Sequence, residues 1–515
     1  MSVPADAADG SNSSGRALAE AAAASAWIDD TERRSNLTRS QYLIWSAQQL
    51  DSASPLYNMA FAFRIEGPLD AARFEAAWRS VAASTDSVRT VIRETDGVPR
   101  QLLLDEAPEL LGVDFSDDAD PAAAGAAWID TRRSRLFATD RCLTDAALLR
   151  VGRSSWIWYL NQHHVVTDAA SVALLFDAVQ NAYGSGSAPD DGGGRFLAYV
   201  EREREARGSD RHARLRGHWA DEADIPLHAI APYGRAAKGR GGRTRRVRKR
   251  LSREQTDGLA RLSDSPAFRG ISKQLGLANV LYTLVAAFIA RTASAGPFAI
   301  GMPIHHRGRR LDRRTPGLFM EVLPLRLEPD TAGSVADLGE QVRAATMRVL
   351  GQAAPGVSTP GLNRRYQVLL NVLPMQMGNF AGLPTRCDWI HSGAGDGAHR
   401  LRIQAHDFDG AGRLTLDFDF DEQVFPADYR ELAARQFLNL VDAAIESPGR
   451  PLDRLDLRTE AERDAQEYSF NATDAAVPGY SVVQGIHEQA RRAPVAVARG
   501  PASASASLVG GGHPS

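Results

Sequence analysis

Cysteine is almost missing from this 515-residue chain. Cys142 and Cys387 are the only two, which excludes a disulfide framework and fits a cytosolic (cytoplasmic) protein. Long hydrophobic runs are missing too. The longest mostly apolar stretch, Ala278 to Ala290, falls well short of the roughly 20 residues that span a bilayer, so no membrane partner is expected. The N-terminus, MSVPADAADGSNSSG, lacks the basic-then-apolar order of a signal peptide. A surplus of one charge is also lacking. Sixty Lys and Arg against 63 Asp and Glu leave a net charge of −3, which argues against nucleic acid as the main partner. What remains is ordinary in proportion: 43% hydrophobic and 24% charged residues permit a sizeable core and exclude global disorder. The length suggests about three domains or two large lobes.

Residues 1–35 read as a disordered leader with a short Ala-rich helix, Ala17 to Trp27. From Leu37 the pattern turns globular. Leu37 to Gln41 opens a helix reaching Leu50, Ala60 to Ile65 alternates like a strand, and Asp70 to Ala83 has apolar residues at helical spacing. Val88 to Glu94 and Gln101 to Leu104 flank Asp96-Gly97, a hairpin signal. Ala146 to Val151 and Trp156 to Asn161 read as strands, and Asp168 to Tyr183 as a helix stopped at Gly184. Gly184 to Gly194 is a linker by composition.

Phe196 to Ala223 reads as a long charged helix with a break at Gly208. Arg235 to Arg250 holds nine Lys or Arg and no acid, and reads as a solvated surface loop, with a phosphate or carrier contact patch as the alternative. Ala278 to Ala290 is apolar all round and should be buried. Phe298 to Pro303, Glu321 to Glu328 and Gln367 to Leu373 read as strands, Val335 to Leu350 as a helix, Leu401 to Asp407 and Arg413 to Asp419 as a hairpin around Asp409-Gly410, and Asp428 to Glu446 as a closing helix. The mixture implies an α/β (α+β) protein of two similar lobes, 36–195 and 196–455. Residues 456–515 are of different character: a connector, one amphipathic helix (Tyr480 to Arg492), and a low-complexity tail from Arg499 expected to be disordered.

The sharpest local feature is WIWYLNQHHVVTDAAS, Trp156 to Ser171. A β-prone run ends in two histidines, and Asp168 follows four residues after His164 at a helix start. Histidine suits proton transfer near neutral pH, and a strand end before a helix N-terminus is where α/β folds commonly place sites. Asp168 could cap the helix or pair with a buried arginine. A metal site on His164 and Asp168 lacks a third ligand nearby. Ser171 carries no nucleophile signature, because the glycine elbow of serine hydrolases is absent. His305-His306 is a second pair, read as loop.

The segment Asn161 to Ser171 resembles the HHxxxDG motif of the condensation domains of nonribosomal peptide synthetases and of the wider chloramphenicol-acetyltransferase-like superfamily. Further segments resemble the same family in the same order: Leu37 to Gln41 with Leu56-Tyr57-Asn58, Val88-Arg89-Thr90, Phe196 to Val200 with His218-Trp219, Ile300 to Pro303 with Arg307, Gly317-Leu318-Phe319, Leu323 to Arg326, and Asn371 to Pro374. The resemblance spans roughly residues 36–455. It implies two chloramphenicol-acetyltransferase-like lobes in a V with a tunnel between them. It also implies that His164 orients or deprotonates an amine attacking an acyl thioester. His163 and Asp168 would be structural, Asp168 paired with Arg307, with Ser171 and Ala169 beside them. Asn371, Gly301 and Trp158 would line the tunnel. No bound cofactor or metal is implied. Substrates would arrive on the phosphopantetheine of donor and acceptor carrier proteins, or as acyl-CoA in a starter-type or free-standing domain, for peptide or lipopeptide synthesis.

Two departures stand out. Ala169 replaces the motif's glycine, which would reduce activity where the backbone approaches the substrate carbonyl closely or needs positive φ, and is harmless if it is merely the first residue of a helix. Glu321 stands where the family often has Asn, which bears on substrate preference. Asn471-Ala472-Thr473 and Val482 to Ala496 resemble the lead into an adenylation domain that is not completed, so the chain reads as the start of a synthetase or a free-standing protein. A non-catalytic carrier-binding platform and an ester-forming acyltransferase remain the alternatives.

Overall fold

The computed structural model describes residues 30–186, 195–236, 242–293, 296–473, 481–493, 497–499 and 505–507. The expected helix Ala17 to Trp27 lies outside them. In chain order the elements that matter are α1 (Arg39–Leu50), β1 (Asn58–Glu66), α2 (Ala71–Ser84), β2 (Thr90–Thr95), β3 (Val98–Leu103), β4 (Leu110–Asp114), α3 (Pro121–Arg132), β5 (Thr144–Arg150), β6 (Ser155–His163) and α4 (Ala169–Ser185). There follow α5 (Phe196–Ala206), α6 (Asp210–Asp224), β7 (Gly242–Arg250), α7 (Arg253–Asp264), α8 (Lys273–Thr292), β8 (Phe298–His305), β9 (Met320–Leu327), α9 (Val335–Gln352), β10 (Val368–Leu373), β11 (Thr385–Ile390), β12 (Ala394–Gly395), β13 (Leu401–His406), β14 (Thr415–Asp421) and α10 (Ala427–Glu446). Helix starts follow local chemistry: Thr38 caps α1 in a capping box with Gln41, and Asp70, Ser272 and Ser334 cap α2, α8 and α9.

Two mixed sheets organise residues up to Leu457, which form one compact unit. The first runs β11-β1-β6-β5-β4 and packs α2 and α4 around Phe63, Phe74, Trp78, Phe176 and Phe380. The second runs β12-β7-β14-β13-β10-β8-β9 and packs on α8, α9 and α10. One strand of the first sheet, β11, comes from the C-terminal half, pairing antiparallel with β1 from Ala60↔Ile390 to Ile65↔Thr385. The Asp96-Gly97 turn closes β2 and β3 with positive φ at both residues, the requirement of a type I′ hairpin. The charged helix breaks between α5 and α6 at Gly208, as the sequence suggests.

Several expectations need correction. The leader does not extend to residue 35. Asp30 to Arg34 is helical, and buried Glu32 pairs with Arg39 and Arg207. α4 continues past Gly184 and is capped by Gly186 in the left-handed region, while residues 187–194 of the expected linker lie outside the described set. From Gly242 to Arg250 the basic segment is not a loop but β7, paired with the acidic β14, while residues 237–241 lie outside the described set. α8 is long and apolar enough to cross a membrane by length and composition, yet it runs through the second core, with Asn279 to Ile289 buried. In the tail, Val482–Arg492 is the expected helix. Ser505–Ser507 pairs with Val497–Arg499 rather than being wholly unstructured.

Candidate active site

A cavity of about 530 Å³ opens between the two sheets, with His164 on its wall. β6 carries the motif to it. His163 ends the strand opposite Asn58, and the His164 N–H donates to the Tyr57 carbonyl (2.7 Å), which turns the chain out of the sheet. His164 Nδ1–H donates to the carbonyl of Thr167 (2.7 Å). A carbonyl can only accept, so this bond places the proton on Nδ1 and leaves Nε2 as the basic nitrogen. Burial lowers the pKa of His164, against the opposing pull of the Thr167 bond and the Asp168 charge, so the ring is neutral at pH 7.

His163 is oriented differently. Its Nδ1 accepts from Val165 N–H (3.2 Å), its Nε2 faces Gln48 Oε1 (3.1 Å), and burial pushes its pKa down to about 3. It ties β6 to α1 and has no nitrogen left over.

Asp168 has no solvent exposure and is saturated. It caps α4 by accepting from Ser171 N–H (2.8 Å), accepts from Phe319 N–H (3.1 Å), and takes the Arg307 guanidinium at 2.9 and 3.1 Å. Burial alone would raise its pKa, but the Arg307 charge, with His305 and the Ser171 bonds, holds it below the ordinary value. Ser171 Oγ lies 2.7 Å from Asp168 Oδ1 and 2.6 Å from the Gly317 carbonyl, and accepts from Gly317 N–H and Arg307. It is therefore wholly engaged in a knot joining α4 to the loop before β9. Gly317 must be glycine there: its φ is 157°, and a Cβ would come within 2.2 Å of the Phe196 ring. Ala169 is the first residue of α4, buried, with no left-handed backbone.

The three residues expected to line the tunnel separate. Asn371 lines the cavity. Gly301 lies one layer behind it, where a Cβ would strike the ring of Tyr366, a cavity residue. Trp158 does not line it, and that expectation is corrected. It is fully buried in the first core, with Phe63 at 4.8 Å and Phe74 at 5.3 Å between ring centroids. Alternation along β6 sends Trp158 towards the helices, not the cavity. His305-His306 is not simply loop either. His305 ends β8, and His306 Nε2 lies 3.6 Å from the buried carboxylate of Glu321, which accepts from Gly356 N–H (2.7 Å).

Sequence reasoning missed the opposite wall. Arg402 and Gln404 on β13, with Asp396 and His399 just before it, face the same cavity as His164. The signal was present as polar residues at every second position of β13 and β14, but it served only to identify a hairpin.

Comparison with known proteins supplies the context. The condensation-domain family matches residues 31–356. An isonitrile lipopeptide synthase of Streptomyces coeruleorubidus is 29% identical over 465 residues, covering 84% of this chain and 30% of that protein. A dimodular nonribosomal peptide synthase of Bacillus subtilis (strain 168) is 24% identical over 490 residues, covering 91% of this chain and 20% of that protein. The chain thus spans less than a third of these relatives. Among solved structures, the first condensation domain of the CDA synthetase superposes with a TM-score of 0.71 at 26% identity, covering 82% of this chain and 98% of that one. The starter condensation domain of rhizomide synthetase, in complex with C8-CoA, gives 0.71 at 24% identity, covering 82% and 96%.

Proposed function

The chain belongs to the condensation-domain family of nonribosomal peptide synthetases, and on that premise we propose that it joins an acyl thioester to an amine in peptide or lipopeptide biosynthesis. The observation that carries this reading is the His164 ring on the cavity wall, its Nδ1 proton committed to Thr167 and its Nε2 left basic. A neutral imidazole can accept a proton from the amine as it attacks. The nitrogen bonds to the thioester carbonyl carbon, the carbon–sulfur bond breaks, and the departing thiolate takes up the proton. A thioester is already activated, so holding the two reactants together in the cavity contributes much of the rate. No covalent acyl-enzyme is needed, in keeping with a Ser171 that is wholly engaged.

α1 gives the cavity an apolar wall of Leu43, Ile44, Ala47 and Leu50, chemically suited to an aliphatic acyl donor. The donor arrives on a carrier's phosphopantetheine or as acyl-CoA, the amine on an acceptor carrier, and the reaction takes place in the cytoplasm. His163, Asp168, Arg307 and Ser171 hold the motif in shape.

The test is intact-mass detection of product from acyl-CoAs or acyl-loaded carriers with aminoacyl thioester mimics, beside His164→Ala. Amide formed by the wild type and lost in a folded His164→Ala supports the reading. Equal product from both refutes the role of His164. Carrier binding without product in either would support the recruitment platform, and product only with alcohol acceptors the ester-forming reaction.

A further inference from the structure

The wall facing α1 is one side of the seven-stranded sheet, and it is polar by construction. Leu370, Ile403 and Phe418 turn inward to the second core. Their neighbours turn the other way and form two cross-strand rows. Asn371, Gln404, Asp417 and Arg248 lie in register across β10, β13, β14 and β7, and Leu369, Arg402, Asp419 and Arg246 form the row beside them.

Every charge in these rows is answered within the protein. Arg246 grips Asp419 at 2.7 and 2.8 Å, Arg248 grips Asp417 at 2.6 and 2.9 Å, and Arg402 donates to Asp396 (2.5 Å). Several polar atoms are left over, and the Asn371 carboxamide on the cavity wall is one of those without a hydrogen-bond partner among the described residues. Gln404 is among the residues that line the cavity, and its Oε1 is buried with no hydrogen-bond partner among the described residues. His399 Nε2 is in the same position. Its Nδ1 lies 2.5 Å from the Asp396 carboxylate, which can only accept, so the proton sits on Nδ1. The Tyr366 ring stacks on the imidazole at 5.1 Å and holds it in place.

An unpartnered acceptor inside a cavity is costly unless a ligand satisfies it. A charged ligand side chain would have to open one of the existing ion pairs. An apolar one would leave Gln404 Oε1 dry and unpaired. We propose that the β13 wall is the acceptor subsite and that it selects an aminoacyl group whose side chain is uncharged and donates hydrogen bonds, a carboxamide or a hydroxyl, to Gln404 and His399. This rests on the amide-forming reading above and adds to it the class of amine consumed. Gln404 acts in selection, while His164 does the chemistry.

The experiment takes the full chain with octanoyl-CoA as donor and the pantetheine thioesters of asparagine, leucine, lysine and aspartate as acceptors. Asparagine and leucine are close in size and shape and differ in the donor group. The expected result is kcat/KM for asparagine at least about 10-fold above the other three, with Gln404→Met bringing asparagine and leucine to within about twofold by raising the asparagine KM and leaving the octanoyl-CoA KM unchanged. Leucine equal to or better than asparagine in the wild type, or a preference that survives Gln404→Met in a protein of unchanged melting temperature, overturns the proposal. So does a polar preference that appears on the donor instead. Should the wild type turn over nothing, the readout becomes calorimetric binding of non-hydrolysable asparaginyl- and leucyl-pantetheine amides to His164→Ala. Tighter asparaginyl binding there upholds the subsite while the proposed reaction fails, and turnover without preference does the reverse.

Discussion

Replacing Asp168 by Asn tests the central knot of the site. The amide keeps the size of the carboxylate and can still cap α4 through its oxygen, so the perturbation is one negative charge removed from a place with no solvent. Arg307 then loses its counter-charge, with its guanidinium stacked over Phe319 at 4.1 Å. Breaking a buried ion pair from one side costs about 3–5 kcal/mol, because the surviving charge is stranded. Unfolding entropy scales with chain length, at about 0.9 kcal/mol/K for a compact unit of this size, so the melting temperature should fall by about 3–6 °C. The pH dependence gives a second check. The folded pKa of Asp168 lies below its unfolded value, so its stabilisation is present above the ordinary carboxylate pKa of 3.8 and is lost as pH falls through the folded pKa. Calorimetric melts of both proteins should therefore differ fully at pH 7 and converge below about pH 4. A variant that melts within about 1 °C of wild type at pH 7, or a gap that persists unchanged in acid, refutes the argument.

Other outcomes follow from the same geometry. If His164 is the proton acceptor, kcat for condensation at saturating acceptor stays flat down through the ordinary imidazole range and declines only at lower pH. Burial depresses its pKa and protonation removes the base, so a half-maximum at or above about 6.5 contradicts this. Trp158→Ala empties a ring-sized space in the first core and should cost about 3–5 kcal/mol in urea titration without changing the KM of either substrate, whereas a KM effect would return Trp158 to the cavity. Ala169→Gly, which restores the motif residue, should lower stability by about 0.5–1 kcal/mol and raise no rate, because the alanine already sits in unstrained helical backbone. A gain in product on that change would show that the extra methyl obstructs the substrate.

What could be read from the sequence was what short-range chemistry determines. Thr38 and Asp168 mark helix starts, Asp96-Gly97 marks a turn, and the Asp168–Arg307 pair was implied by a family resemblance and is present in the fold. What could not be read depends on partners far along the chain. Arg246 and Arg248 look like solvated charge until Asp417 and Asp419, some 170 positions later, are laid beside them. Glu32 looks like part of a loose leader because Arg39 and Arg207 give its burial a reason only once α5 is folded against α1. Trp158 was misplaced because alternation tells two faces of a strand apart but not which one meets solvent. The same ambiguity hid Gln404 and Arg402.

The pairing of β1 with β11 has a consequence for how the protein is made. A ribosome releases Asn58 to Glu66 more than 300 residues before Thr385 to Ile390 exists. For that interval the growing polypeptide carries a hydrophobic strand with one bare side, the kind of template on which neighbouring nascent chains pair and precipitate. The first lobe therefore cannot be harvested by stopping translation after it. Gene fusions that exchange one lobe between relatives must carry the Thr385 to Ile390 segment along with the N-terminal half, or supply an equally good strand in its place.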